Sequence, residues 1–309
     1  MQIQWYPGHM HKARKEIKQA LPKVDVVIEI LDARIPFSSE NPMITELRGD
    51  KPCIKILSKT DLADGNITKQ WIEFFEQEEG TEAALTITTQ KPETILQLPR
   101  LIRDKTSFND RPIHTMIIGI PNVGKSTLIN HLAGRTIAKT GNEPAITKGQ
   151  QRIKLENGII LSDTPGVLWP NVENRNSGYR LAATGAVRDT AMEYADVAFF
   201  LADYLMRVYP ERLMERYELN HIPDSEIELL EMIGEKRGCL RAGGQVELDK
   251  VSRIFVIEFR TGVLGQMSLE VPDDMHKELA ELEIIRAKKQ VKKDAKEAKK
   301  RGHKRERKN

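Results

Sequence analysis

Two cysteines in 309 residues, Cys53 and Cys239, stand far apart and match no metal-ligand spacing. Cys53 lies in an apolar, strand-like run and reads as a small core residue. No apolar run approaches the roughly 18–20 residues that span a bilayer. The amino terminus, "MQIQWYPGHMHKARK", lacks the apolar core of a secretory signal. No internal repeat is present. Neither a membrane partner nor a cysteine-held metal is expected, and a cytoplasmic location is. Hydrophobic residues are also nearly missing from the last segment, Arg286 to Asn309. It holds 13 Lys/Arg against 3 Asp/Glu, a net +10, so the overall +3 conceals a body of −7.

What is present fits a soluble globular chain long enough for two domains: 39% hydrophobic and 30% charged residues. Apolar, β-branched runs at 24–34, 53–59, 84–89 and 113–120 predict buried strands. Helical spacing predicts helices over 67–80, 92–105 and 126–134. "QRIKLENGIILSDTPG" (151–166) predicts two strands around an Asn-Gly turn. Strands alternating with helices imply an α/β domain, a mainly parallel sheet covered on both faces. Beyond about residue 175 the period becomes helical, except that "VSRIFVIEFRTG" (251–262) has strand-like composition. The expected division is an α/β domain over 1–175, a mainly helical domain over 176–285 and a disordered basic tail over 286–309.

The chemistry begins at "GIPNVGKST" (119–127), a full G-x-x-x-x-G-K-[ST] loop between a strand and a helix. Asn122, Val123, Gly124, Lys125, Ser126 and Thr127 would line nucleotide phosphates. The backbone N–H groups and the helix N-terminus favour anions; Lys125 would neutralise the β/γ-phosphates and Ser126 would ligate Mg2+. "SKTD", Ser58, Lys59, Thr60 and Asp61, follows a strand. A carboxylate accepts from both N1–H and the exocyclic amine of guanine, a donor pair adenine lacks, and the stem of Lys59 can lie over the base. "DTPG" follows the apolar "GIIL": Asp163 would hold Mg2+ through water and the Gly166 N–H would meet the γ-phosphate. Between them Thr147 is the candidate switch threonine for Mg2+, among several threonines. Each short motif also occurs by chance; together they point to GTP.

Their order is unusual. The guanine motif precedes the phosphate loop. A closed α/β domain keeps its site if its ends are joined and a loop elsewhere is cut, so the order implies a circular permutation, with "SFNDRPIH" (107–114) as the joining loop. The chain resembles the circularly permuted YlqF/YawG-type GTPases, most closely their bacterial ribosome-biogenesis members. The resemblance is carried by "WYPGHMHKARK", "LDARIPFSSENP", "SKTD", "GIPNVGKSTLIN", "AKTGNEPAIT", "DTPGVLWP" and "GEKRGCLRAGG", spanning roughly 3–270. Ser58 stands where the family has Asn, and Ala145 where it has Gly. The resemblance implies a GTPase that binds the assembling large ribosomal subunit and its rRNA, acts as a monomer and leaves after hydrolysis.

The water-orienting position after Asp-x-x-Gly is held by Val167 and Leu168, which cannot orient water. The resemblance implies that His9 serves instead; His9 could equally cap a helix or touch RNA. Pro7-Gly8 before it suggests a bent, mobile segment. The resemblance also implies K+ at Asn122, where a monovalent cation would supply charge. The tail admits three readings: a solvated end, an RNA-binding arm acting through counterion release, or a membrane-surface segment, which its lack of bulky hydrophobics disfavours. Lys236, Arg237 and Arg241 are candidate RNA contacts or plain surface charge. The alternatives to a ribosomal switch are an RNA-binding scaffold with a structural nucleotide site, and a GTPase of a tRNA-modification complex.

Overall fold

The structure, a computed structural model, describes residues 3, 5–88, 92–106, 111–136, 151–155 and 158–306, with 92, 151 and 292–306 described by backbone alone. Six strands form one sheet: β1 (Val26–Asp32), β2 (Cys53–Ser58), β3 (Thr81–Thr86), β4 (Ile113–Gly119), β5 (Gln151–Lys154) and β6 (Ile159–Asp163). Their spatial order is β3-β2-β1-β4-β6-β5, parallel throughout except that β5 runs antiparallel to β6. The chain enters at the middle of the sheet, builds outward through β2 and β3, then returns beside β1 to build the other half. The permuted order of the motifs is thus realised as two half-sheets meeting at the β1–β4 pair. The core of the expected joining loop (107–110) lies outside the described residues.

Local chemistry explains most boundaries. The helix Gly65–Glu76 opens at Asp64, whose carboxylate accepts from the N–H groups of Asn66 and Ile67, and it buries Thr68, Trp71 and Phe75 on one stripe. The helix expected over 92–105 is two, Pro92–Leu96 and Leu98–Asp104. Pro99 at the start of the second has no N–H to continue the first. The region 251–262, strand-like in composition, is a helix, Leu248–Thr261. Val251, Phe255, Val256 and Phe259 are buried in it at helical spacing. Burial at 3–4-residue intervals outweighs β-branched composition here.

By internal packing the chain separates into residues 1–270 and 271–309. In the first, the sheet and the helices through Leu248–Thr261 share one continuous apolar core. The second is the helix Pro272–Glu306. Its Lys, Glu, Ala and Arg content favours a helix without requiring burial, and the helical backbone continues into the basic segment. Among the described residues no helix is long and apolar enough to cross a membrane.

The sheet buries charge as well as hydrocarbon. Lys55 of β2, 1% exposed, donates to Glu40 (2.8 Å) and Glu78 and lies 4.2 Å from the Phe75 ring centroid. Its register partner on β1 is Glu29, whose Oε1 accepts from the Asn41 N–H at 3.2 Å. Burial, reinforced by the charge of Glu40 and opposed by Lys55, pushes the Glu29 carboxyl up to about 7. A carboxyl whose folded pKa lies above its unfolded value stabilises below about pH 4.5, and the contribution is lost as pH rises through about 7. Glu29→Gln should therefore be more stable than the parent at pH 8 by up to about 3 kcal/mol, with the difference vanishing near pH 4.5. Urea unfolding at the two pH values checks this; parallel pH profiles would contradict it.

Candidate functional site

β4 delivers the phosphate loop. Gly119 at its end has φ 155°, and a Cβ there would stand 2.5 Å from the Ile30 carbonyl oxygen, so the strand can pass β1 only with hydrogen at that position. Gly124, at φ 102°, turns the chain into the helix Lys125–Leu132. The first helical N–H groups, those of Lys125, Ser126 and Thr127, have no intrahelical acceptor by construction, whereas Leu128 N–H already bonds the Gly124 carbonyl. The Lys125 ammonium is buried and donates to the loop's own carbonyls, Gly119 (2.9 Å) and Ile120 (2.5 Å). Burial brings it down to about 8, with Asp163 opposing and Lys59 adding to the shift.

β6 ends at Asp163, whose register partner on β4 is Ile117. Both carboxylate oxygens of Asp163 are buried, and neither has a hydrogen-bond partner among the described residues. Burial pushes this carboxyl up to about 6 against the pull of Lys125. The chain then folds back on the phosphate loop. A Cβ at Gly166 would lie 2.7 Å from Pro121 Cα and 3.1 Å from Lys125 Nζ. Val167 N–H donates to the Gly119 carbonyl (3.2 Å), and the Val167 carbonyl accepts from Asn41 Nδ2 (2.9 Å). Val167 and Leu168 are buried and apolar, so neither faces a water.

β2 leads into the turn Ser58 to Asp61, the candidate base-reading motif of the sequence. Ser58 is buried, its hydroxyl within reach of two carbonyls, Leu31 (2.9 Å) and Val123 (2.6 Å). The hydroxyl hydrogen can bond one at a time, and either bond pins the turn to the middle of the sheet or to the phosphate loop. Lys59 adopts φ 56°, and its ammonium pairs with Asp32 at 3.0 Å. Thr60 Oγ1 donates to the Ile87 carbonyl (3.4 Å), and Asp61 Oδ1 accepts from Thr88 Oγ1 (2.9 Å).

Asp32 is the residue that motif spacing does not find. It ends β1, and its two oxygens take a forked pair from Arg34, Nε at 2.9 Å and Nη2 at 2.8 Å, besides Lys59. Burial opposes ionisation, but the guanidinium and the ammonium together hold the carboxyl well below the usual carboxylate range. The sequence does carry a signal for it: an acid closing an apolar strand with Arg two residues on.

Residues 114–237 match a family model described as "50S ribosome-binding GTPase". The chain is 44% identical over 295 residues to "Ribosome biogenesis GTPase A" of Bacillus cereus, covering 92% of this chain and 99% of that one. The chain belongs to the ribosome biogenesis GTPase A family. The Thermotoga maritima member is 34% identical over 278 residues, covering 88% and 96%. Among solved structures, GNP-bound YlqF from T. maritima has a TM-score of 0.61 at 31% identity, covering 84% of this chain and 98% of that one. GDP-bound TM YlqF has a TM-score of 0.64 at 30%, covering 84% and 99%.

For a GTPase of this family the remaining site residues are placed as follows. Thr147 lies outside the described residues, as does Ala145. Asn122 has φ 59°, and its Nδ2 donates to the Gly185 carbonyl (2.9 Å), tying the phosphate loop to the turn after the helix Arg175–Ala183. Where Pro7-Gly8 suggests a bent, mobile segment, the structure places His9 in the first turn of the helix Gly8–Ala20, exposed, its ring edge-on to Trp5 at 6.2 Å. The Arg188 guanidinium also packs on Trp5, 6.0 Å from the ring centroid. Desolvation, with the Arg188 charge adding, lowers the His9 pKa from its ordinary value, which favours the neutral ring. Of the candidate RNA contacts, Arg237 pairs with Glu258 and packs over Tyr217, and Arg241 stands 3.9 Å from Glu247.

The donor set fits Mg2+. A buried carboxylate without a hydrogen-bond partner costs stability unless a cation neutralises it, and Asp163 stands on the strand beside the one that leads to Ser126. Among the described residues no cluster of three or more acidic, His or Cys side chains could hold a metal alone. The sign of the pH effect follows. If Asp163 serves Mg2+ it must do so ionised, so Mg2+-dependent GTP affinity should then fall about tenfold per pH unit below about pH 6. Asp163→Asn should flatten that dependence and weaken Mg2+-dependent binding. It should also stabilise the ligand-free protein at pH 8 by about 1–3 kcal/mol. Nucleotide titration at pH 5 and 8 with and without Mg2+, plus thermal unfolding, checks both; an Mg2+ effect that survives in Asp163→Asn would remove this ligand.

Proposed function

We propose that the protein is a GTP-driven switch that joins the assembling large ribosomal subunit, hydrolyses GTP there and then leaves. The observation that supports it best is the meeting of three chemistries at one rim of the sheet: phosphate loop, buried Asp163 and base-reading turn, with Ser58 able to bond the loop directly. In this reading Lys125 exchanges its loop carbonyls for the β/γ-phosphates, and the N–H groups of Lys125 to Thr127 bind phosphate oxygens. Ser126, Asp163 and Thr147 would hold Mg2+, which when bound neutralises charge developing on the phosphates. Asp61 accepts from guanine, with Lys59 held over the base by Asp32. The Asn122 amide oxygen is the atom that would ligate K+, since its nitrogen donates to Gly185.

His9 is the proposed water-orienting group. Val167 and Leu168 are buried hydrocarbon, and a neutral imidazole can accept a hydrogen bond from water and aim it. His9 is exposed and edge-on to Trp5, and in this reading the large subunit completes the geometry. The basic segment 286–309, on the helix Pro272–Glu306, supplies phosphate affinity to rRNA.

Two experiments test this. Sedimentation with ribosomal subunits should show the protein on the large subunit with a non-hydrolysable GTP analogue and largely free with GDP. Co-sedimentation indifferent to the nucleotide would favour a scaffold with a structural nucleotide. His9→Ala should bind GTP normally, stay longer on the subunit and lose about 10–10³-fold of subunit-stimulated turnover. Undiminished stimulation would end the catalytic role; lost subunit binding would make His9 a contact residue.

The basic tail is tested by its salt dependence. Deleting 286–309 should flatten the slope of log rRNA affinity against log salt by about 0.7–0.9 for each phosphate that the tail neutralises, with basal turnover unchanged. Filter binding at several salt concentrations reads the slope, and an unchanged slope would make the tail a solvated end.

A further inference from the structure

The base-reading turn is not built by the nucleotide half of the chain alone. The segment that leaves the helix Leu248–Thr261 returns to lie along it. Gln266 Nε2 donates to the Asp61 carbonyl (3.3 Å), Met267 N–H donates to the Leu62 carbonyl (3.0 Å), and Ser268 Oγ accepts from the Asp64 N–H (3.2 Å). Three consecutive residues thus bond three positions of the turn. The helix itself ends at Gly262, with φ 77°, and a Cβ there would stand 2.6 Å from Leu62 Cδ2. The left-handed backbone favours glycine here, and a side chain at this position would displace that of Leu62, the residue next to Asp61.

We propose that the segment 262–270 is a positioning element of the guanine site, with Gly262 and Gln266 setting where the Asp61 carboxylate stands. The proposal rests on the reading of Asp61 as the base acceptor. The reason is geometric. A carboxylate distinguishes guanine from close analogues only when both of its acceptor directions meet N1–H and the exocyclic amine together, and a small displacement forfeits one of the two bonds. The Asp61 side chain is steadied by Thr88. Its backbone is steadied from the far end of the chain, by Gln266 on its own carbonyl and by Met267 on that of Leu62. The two ties act on different parts of the same residue, so loss of the second leaves the carboxylate held at one end only. Because the segment continues from the helix Leu248–Thr261, the helical region is mechanically part of base recognition.

The test uses the full-length protein and two nucleotides, GDP and IDP, whose base lacks the exocyclic amine. Gly262→Ala should raise the Kd for GDP by about 5–10-fold and narrow the preference for GDP over IDP. Leu62→Ala in the same background should recover part of the loss, since it removes the collision partner. Gln266→Ala, at an exposed side chain that threatens no core, should raise the GDP Kd by about 2–5-fold and narrow the same ratio. A lower melting temperature with an unchanged GDP-to-IDP ratio in both variants would mean that the segment only stabilises the fold, and would overturn the proposal. Asp61→Asn separates the two layers. If it binds GDP as tightly as the parent, the base assignment itself is wrong. If it loses GDP while Gly262→Ala and Gln266→Ala keep the parental ratio, the base assignment stands and the positioning role falls.

Discussion

Hydrogen-bond register in the parallel half of the sheet decides where every reactive group stands. Ile30 pairs with Gly119, Asp32 with Ser58, and Ile117 with Asp163. Parallel strands end at the same edge, so the residues that follow them form one rim, and the point where the two half-sheets meet is where a ligand finds a crevice. A one-residue slip between β1 and β4 would move Gly119 off the Ile30 carbonyl and put a side chain against it, so the 2.5 Å approach at Gly119 fixes the register as strictly as the core does. The permutation leaves this arrangement intact because register depends on neighbours in space and not on the order in which the chain visits them.

The rim is built from charges that a purely stable protein would avoid. Asp163 has no hydrogen-bond partner among the described residues, Lys125 holds backbone carbonyls, and Asp32 is buried between two cations. These differ in kind. Asp32 is fully compensated by a forked guanidinium and an ammonium, so it fixes geometry at little risk. Asp163 has no such fork, only the pull of nearby Lys125, and this is what supports the proposal that it serves a cation. Lys125 lies between the two cases: its carbonyl bonds are replaceable by phosphate oxygens of greater charge. In the proposed reading one site therefore contains a rigid positioning half, toward the base, and a responsive half, toward the phosphates.

Most of the strands are legible in the sequence because buried parallel strands are continuous β-branched runs, and the phosphate loop because its glycines are forced by backbone approach. Sequence and structure part where composition and period disagree. Residues 251–261 are rich in Val, Ile and Phe, yet their buried positions fall at helical intervals, and a helix packed against other helices needs only that stripe. Asp32 and Glu29 escape notice for a related reason. A lone acid in an apolar strand does not by itself say whether it faces solvent, a cation or a ligand; Arg34 stands close to Asp32 in sequence, but Lys59 and Lys55 reach these acids only through the fold. Gly262 is the sharpest case. As sequence it closes a strand-like run before "VLGQ"; the structure makes it a helix-ending glycine, and the side chain it approaches, Leu62, lies far earlier in the chain.

Permutation also changes what the helical region can touch. It meets the nucleotide rim on both halves. On the phosphate side Asn122 bonds the Gly185 carbonyl, and the helix Arg175–Ala183 begins shortly after Gly166. On the base side Arg34 carries the Asp32 pair to the Arg260 carbonyl (3.2 Å) and the Phe259 ring (5.5 Å), while residues 266–268 grip the turn. Between them, Arg180 pairs with buried Glu270 (3.3 Å), which also accepts from Ser38 (2.6 Å), in the short helix Pro36–Ser39 that follows Asp32 and leads to Asn41 and its bond to Val167. A two-point hold of this kind makes the helical region and the nucleotide rim parts of one packed unit. In the proposed reading a load applied to the helices would act on base and phosphate contacts together, and any affinity the nucleotide confers on a partner bound there would be returned by that partner as affinity for the nucleotide.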